Sequence, residues 1–319
     1  MKKTVLFVIG PTACGKSQAA LRLAESLKGE IVSADSMQVY RGMDIGTAKP
    51  TPAELKKIPH HLIDVVEPSE VFDVGRFRSL AIEALGKITA AQKMPIVAGG
   101  SGLYVRALLE GLSGQPGRDE TLRAELEARI QSEGSEKLHA ELKKKDPEQA
   151  VKIKPADAKR IIRALEIIQL SGRMPSDWYQ KKEPLEDLGY HPVVLGIMKN
   201  RPALYRDIDR RVEKMFEDGL WEEAKGLLKL ELSRTAMEAI GYKEALILLK
   251  AFPDARFSDL PKKETEKLIP AVAQRTRQFA KRQITWFKRE KNTSWFERGE
   301  DETDVQIAKR LLQGFESVA

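Results

Sequence analysis

Along the first third of the chain, short uninterrupted apolar runs alternate with stretches whose apolar residues recur every three or four positions. Thr4 to Ile9 is apolar almost throughout and meets Gly10-Pro11, which predicts a strand buried on both faces that enters a loop. A helix is predicted from about Lys16 to Leu27, a second strand from Glu30 to Ser33, and a further strand at Leu62 to Val65. Phe77, Leu80, Ala81, Ala84, Leu85 and Ile88 recur at helical spacing, with Asp73 placed to cap their helix. Pro95 to Ala98 predicts another short buried strand, ending at Gly99-Gly100. Strands that alternate with helices in this way predict an α/β fold, a parallel sheet with flanking helices.

The texture changes near Gly111. Charged helical segments separated by Gly114, Pro116-Gly117, Gly134, Pro147 and Pro155 replace the strand signals, which predicts an all-helical insertion over 113–189. It would interrupt a core made of 1–112 and 190–319. His191 to Ile197 restores a strand, Asn200 caps a helix with Pro202 in its first turn, and Gly219 is placed to stop it. Further helices are expected to fill the C-terminal part.

Hydrophobic residues at 42% and charged residues at 32% are ordinary for a water-soluble domain, and no run approaches the ~18 to 20 apolar residues of a membrane helix. Lys2-Lys3 and the apolar run after them have the outline of a secretion signal. The run is short, lacks a small-residue cleavage site, and reads better as the first strand, so a cytoplasmic protein is expected. A single cysteine, Cys14, permits no internal disulfide and agrees with a reducing compartment. The net charge of +7 favours a polyanionic partner, and its distribution sharpens the point. Between Lys262 and Lys291 lie Lys267, Arg275, Arg277, Lys281, Arg282, Lys288 and Arg289, a basic helical surface on which Arg275, Arg282 and Arg289 share one face. Phe279, Trp286 and Phe287 within it read as core residues.

Gly10-Pro11-Thr12-Ala13-Cys14-Gly15-Lys16-Ser17 matches the phosphate-loop pattern G-x-x-x-x-G-K-[ST] in full, between a predicted strand and a predicted helix. Backbone N–H groups of such a loop point at phosphates, the helix N-terminus adds positive potential, Lys16 supplies a mobile charge, and Ser17 would help hold Mg2+. The fold is therefore expected to be P-loop NTPase-like. The loop reads a phosphate chain and not what is attached to it, so a nucleotide kinase or NTPase and an RNA-binding regulator both fit. Against the first, the later strand closes Ile96-Val97-Ala98-Gly99-Gly100 without the acidic residue that helps an NTPase hold magnesium. His60-His61 lacks a second ligand pair at metal spacing and reads as polar loop. Cys14 reads first as a tolerated loop residue; its place near a helix N-terminus could also lower its thiol pKa, which predicts that alkylation blocks activity and bound diphosphate protects. Asp35, just after the second strand, should stand at the carboxyl edge of the sheet beside the loop.

The segment Asp35-Ser36-Met37-Gln38-Val39-Tyr40-Arg41-Gly42-Met43-Asp44-Ile45-Gly46-Thr47-Ala48-Lys49-Pro50 closely resembles the signature of tRNA dimethylallyltransferases. The resemblance continues through Gly99 to Tyr104, Ala107 to Leu112, Arg160 to Glu166, Ile240 to Lys243 and Thr276 to Trp286, so it spans nearly the whole chain. It implies an enzyme that moves a dimethylallyl group from its diphosphate, held by the phosphate loop with Mg2+, to an adenine amine in the anticodon stem-loop of tRNA. On that resemblance Asp35 is the base that accepts the amine proton, and Ser101, where many members have threonine, contacts the base or diphosphate. By the spacing of Leu204, Ile208 and Met215, the family's diphosphate arginine falls on Arg211 and not Arg210. Tracts implied to contact tRNA are Asp35, Ser36, Met37 and Gln38; Arg123; Lys159, Arg160, Ile161, Ile162 and Arg163; and Arg275, Gln278 and Arg282. A monomer is the simplest expectation.

Overall fold

The computed structural model describes residues 2–178, 182–290 and 292–318. Lys291, the last residue of the basic run, lies outside the described residues. The chain divides into two compact units, one of Met1–Leu109 with Leu185–Ala319 and one of Glu110–Pro184.

In the larger unit, β1 (Lys3–Ile9), β2 (Gly29–Ser33), β3 (His60–His61), β4 (Met94–Gly99), β5 (Tyr190–Lys199) and β6 (Thr293–Arg298) form one sheet in the order β3-β2-β4-β1-β5-β6. Every neighbouring pair is parallel. The central strand β1 is covered on both faces, with Val5 to Ile9 fully buried, which is why its sequence is a continuous apolar run. Helix Lys16–Ser26 packs on β2 and β4 through Ala19, Ala20, Leu23 and Ala24, and helix Val74–Ala90 packs on the same strands through Phe77, Ala81 and Leu85. Asp73 caps the latter by accepting from the Arg76 N–H, and Asn200 caps Arg201–Glu217 by accepting from the Ala203 N–H.

The parallel register determines where chemistry can occur. Ile9 lies opposite both Gly99 and Gly196, and Ser33 lies opposite Ala98, so the loops after β1, β2 and β4 leave the sheet side by side at its carboxyl edge.

Two expectations need correction. The strand expected at Leu62 to Val65 is the two-residue β3 just before it, because Leu62 (φ 64°) and Asp64 (φ 54°) adopt left-handed backbone and turn the chain. The C-terminal part is not wholly helical: β6 extends the sheet beyond β5. As an edge strand with half-exposed residues, it lacks the apolar run that reveals a buried strand.

Unit 110–184 is built from helices Glu120–Glu133, Ser135–Lys145, Pro147–Val151, Ala158–Ser171 and Pro175–Trp178 around Leu126, Leu138, Leu142, Ala150, Ile153, Ile161, Ile162, Ala164 and Leu165. The chain returns to the larger unit at Leu185, which is fully buried in its core and whose N–H meets Leu109 O at 3.4 Å. That return precedes the position 190 expected from sequence, since residues 185–189 carry no strand signal.

A buried carboxylate organises this unit. Glu166 has no exposed side-chain surface and accepts from Arg123 (2.8 and 3.0 Å), Arg163 (2.7 Å) and the Asp119 N–H (2.9 Å). Burial opposes its ionisation, but these hydrogen bonds outweigh burial and hold its carboxyl below the usual range. The stability it supplies is therefore present above the unfolded carboxylate pKa and is lost as pH falls through the lower folded value. Glu166→Ala should cost this unit about 3 kcal/mol by removing the carboxylate that balances Arg123 and Arg163, read as faster amide exchange confined to 110–184. Exchange unchanged there would contradict the assignment.

Candidate active site

At the carboxyl edge the turn after β1 runs Gly10 to Ser17 into helix Lys16–Ser26. Gly15 stands at the N-cap with φ 92°, and no side chain caps the helix, so its first N–H groups are left for a ligand. Not all loop amides are available to one. The Thr12 N–H donates to Gln283 Oε1 at 2.8 Å, and the Cys14 N–H to Pro11 O at 3.4 Å.

Thr12, Ala13, Gly15, Lys16 and Ser17 line a cavity of about 940 Å³. Gly10, Pro11 and Cys14 belong to the same turn but do not form its wall. Lys16 Nζ donates to Pro11 O at 3.3 Å. Burial pulls the Lys16 ammonium down from its ordinary pKa, the Arg211 charge adds to that pull, and Cys14 and Asp35 oppose it. Arg211, on the helix Arg201–Glu217, donates from Nη1 to Thr12 Oγ1 at 3.2 Å. Burial lowers its pKa as well, against the pull of Asp35, yet a guanidinium stays charged in proteins. Its Nε is buried without a partner. An anion in the cavity would relieve both cations. Arg210 also lines the wall but is exposed, so Arg211 is the shielded member of the pair.

Asp35 lines the same cavity from the end of β2. Its Oδ1 accepts the Met37 N–H at 2.9 Å. Ser101, beyond β4, accepts the Ser36 N–H on Oγ at 3.0 Å, and its own N–H meets Ala34 O at 3.2 Å. The two turns on either side of Asp35 are thus tied together. Gln38 lines the wall, but its amide is engaged: Nε2 donates to Thr47 O (3.3 Å) and Ala48 O (3.1 Å), and Oε1 accepts from Ser33 (2.9 Å). Ser36 and Met37 stand beside the cavity rather than on its wall.

The remaining expected contacts divide by burial. Lys159 and Arg160 are exposed, whereas Ile161 and Ile162 are core residues of unit 110–184. Arg123 gives Nε and Nη2 to Glu166, and Arg163 donates to Glu166, Pro116 O and Gly117 O, so both are anchored within their own unit. On helix Lys262–Phe287, Gln278 and Arg282 are exposed, while Arg275 is paired with Glu244. Arg289 lies beyond the end of that helix. Of its aromatics, Phe287 is fully buried and Trp286 packs beneath Arg106 (4.6 Å), but Phe279 lines the cavity and is not simply core. His60 lines the far wall with Nδ1 at 2.8 Å from Ile58 O, and His61 pairs with Glu30 at 2.7 Å.

Several supporting residues carry no motif of their own. Glu223 accepts the Asp44 and Ile45 N–H groups at 3.0 Å and the Tyr242 hydroxyl, and Lys49, nearly enclosed, reaches Tyr40 O, Asp44 and Asp64. Together they pin the 35–50 loop over the cavity. Arg298, at the end of β6, is clamped by Asp304 (2.8 Å) and Glu302 O (2.8 and 3.1 Å) so that its guanidinium lies against Gly15; any side chain at Gly15 would collide with it. Long-range pairings of this kind leave only single charged or amide residues in the sequence. Tyr242 and Lys49 fall within segments that carry the resemblance, and Glu223 and Arg298 within none.

Cys14 overturns one expectation. It is buried at 1% exposure, and burial pushes its thiol pKa up despite opposing pulls from Lys16 and Arg298. Native protein should therefore resist iodoacetamide with or without diphosphate and label only after unfolding, as read by intact mass. Rapid labelling of the native form would contradict this.

Residues 38–290 match the family model described as IPP transferase. The chain is 44% identical over 298 residues to a tRNA dimethylallyltransferase of Geobacter metallireducens, covering 93% of each chain. Among solved structures it resembles the full-length tRNA isopentenylpyrophosphate transferase of Bacillus halodurans at 38% identity, with a TM-score of 0.67 and coverage of 99% of this chain and 98% of that one. It also resembles a eukaryotic dimethylallyltransferase acting on tRNA, at 27% identity and a TM-score of 0.77, over 99% of this chain and 80% of that one. Sequence motifs, a parallel sheet with a phosphate loop at its edge, and these full-length likenesses agree: the chain belongs to the IPP transferase family.

Proposed function

We infer that this protein transfers a dimethylallyl group from dimethylallyl diphosphate to the exocyclic amine of the adenosine immediately 3′ of the anticodon in tRNA, position 37. The reading rests on family membership and on one observation: a carboxylate, Asp35, and two partly buried cations, Lys16 and Arg211, line a single cavity.

The acceptor amine is a weak nucleophile because its lone pair is delocalised into the purine ring. As that lone pair forms the bond to the allylic carbon, the carbon–oxygen bond breaks and its electron pair leaves with the diphosphate. The amine proton passes to the Asp35 carboxylate. Lys16, Arg211 and the loop amides then face the charge that grows on the departing oxygens. Ser101, tied to Ser36, keeps the turn that carries Asp35 in place. An anticodon-loop base suits such a site because extracting an unpaired base costs less than opening a duplex.

Mg2+ fits the donor set. Ser17 offers a hydroxyl on the cavity wall, and magnesium is ordinarily held by few protein ligands, water and substrate phosphates. When bound, the ion would neutralise diphosphate charge. Exposed Lys159, Arg160, Gln278 and Arg282 are the proposed backbone contacts to the anticodon stem-loop, supported by the net charge of +7. Arg123 and Arg163, committed to Glu166 and, for Arg163, to Pro116 O and Gly117 O, are proposed to support the contacts made by Lys159 and Arg160. No described helix is long and apolar enough to cross a membrane. The reading puts the protein in the cytoplasm with its substrate, acting as a monomer.

With labelled dimethylallyl diphosphate, magnesium and unmodified tRNA carrying adenosine 3′ to its anticodon, label should appear on that adenosine. Asp35→Ala should lower kcat by about 100-fold or more while the protein still binds inorganic pyrophosphate. Hydrolysis of ATP without prenyl transfer would replace this reading with a nucleotide kinase or NTPase.

A further inference from the structure

Gln283 occupies a position that the transfer chemistry described above does not use. It lies on helix Lys262–Phe287 and is 6% exposed. Its carboxamide makes two hydrogen bonds that face opposite ways. Oε1 accepts the Thr12 N–H at 2.8 Å, and Nε2 donates to Gly100 O at 2.8 Å. Gly100 admits the amide only because it lacks a side chain, since a Cβ there would collide with Nε2.

These two bonds join the two halves of the site. On one side, Thr12 Oγ1 is the partner of Arg211, which lines the cavity. On the other, Gly100 precedes Ser101, whose N–H bonds Ala34 O and whose Oγ accepts the Ser36 N–H. Ala34 and Ser36 flank Asp35. A continuous hydrogen-bonded path therefore runs from Arg211 through Thr12, Gln283, Gly100 and Ser101 to the residues on either side of the base, with Gln283 at its centre.

We propose that Gln283 is a positioning residue for prenyl transfer, holding the phosphate loop against the Gly100-Ser101 turn and so setting the spacing between the leaving diphosphate and the Asp35 carboxylate. The proposal rests on the transferase reading given above. A carboxamide is required because one end must accept from an N–H while the other donates to a carbonyl. Methionine has a similar length and neither capacity. A glutamate carboxylate can accept from Thr12 but repels Gly100 O, whereas a protonated glutamic acid can make both bonds.

The test compares full-length wild type, Gln283→Met and Gln283→Glu. The measurements are kcat and KM with dimethylallyl diphosphate and tRNA, inorganic pyrophosphate affinity by calorimetry, and melting temperature. Gln283→Met should lower kcat about 100-fold, the scale expected when reacting groups are misplaced by about an ångström. Pyrophosphate affinity should fall less, by about tenfold, because Lys16 and the helix N-terminus remain. For Gln283→Glu, the ratio of its kcat to that of wild type should rise as pH falls and the new acid becomes protonated. Lys16, Asp35 and Arg211, together with the other charged or titratable side chains that line the cavity, among them His60, Asp207 and Arg210, are present in both proteins, so the ratio reports the glutamate. A kcat for Gln283→Met within about twofold of wild type would overturn the proposal. So would a Gln283→Glu ratio that is flat with pH, which also decides the matter if Gln283→Met melts early. Wild type that transfers no prenyl group would instead sink the transferase reading.

Discussion

Lys16 and Arg211 are two like charges, each partly buried, on the wall of one cavity, and burial pulls the pKa values of both down. Asp35, on the same wall, opposes that pull without cancelling it, so the pair favours a strongly charged anionic ligand. The rest of the architecture serves this constraint. The all-parallel sheet delivers the ends of β1, β2 and β4 to one edge, which puts the phosphate loop, Asp35 and Ser101 side by side. Helix Arg201–Glu217 then brings Arg211 across to Thr12.

The cavity's most irregular wall, the 35–50 loop, is fixed from within and from behind. Gln38 spends its amide on Thr47 and Ala48, Lys49 ties Tyr40 to Asp44 and Asp64, and Glu223 with Tyr242 gathers the amides of 44–46. Burial and the neighbouring Glu223 carboxylate push the Tyr242 hydroxyl far above its ordinary pKa, so it remains a donor at any physiological pH. Hydrogen bonds to charged groups contribute more than neutral ones, about 1.5 to 3 kcal/mol each, which is how a segment without regular structure keeps one conformation. Functional residues on loops held by a rigid scaffold follow the same logic.

What was legible in the sequence follows from how local each signal is. Val5 to Ile9, the face from Phe77 to Ile88, Asp73 and Asn200 act through their own strand, helix or first turn, and each stands where its pattern placed it. The phosphate loop was legible for the same reason. Leu62 to Val65 misled because apolar content outweighed two residues that bend the chain left-handed, and β6 escaped because an edge strand need not be apolar. Cys14 was misjudged because proximity to a helix N-terminus is visible in sequence and burial is not. Arg298 and Glu223 were beyond reach: each acts on a loop far away in the chain, and nothing local distinguishes it from a solvated charge.

On this mechanism diphosphate and acceptor amine meet in one cavity between the two cations and Asp35. The most direct test is a structure of the protein with an anticodon stem-loop and an unreactive thiolo analogue of dimethylallyl diphosphate. The account predicts the diphosphate on Lys16 and Arg211, and the amine of the extruded adenine about 3 Å from the Asp35 carboxylate. An adenine seated elsewhere, with Asp35 facing only solvent, would contradict it.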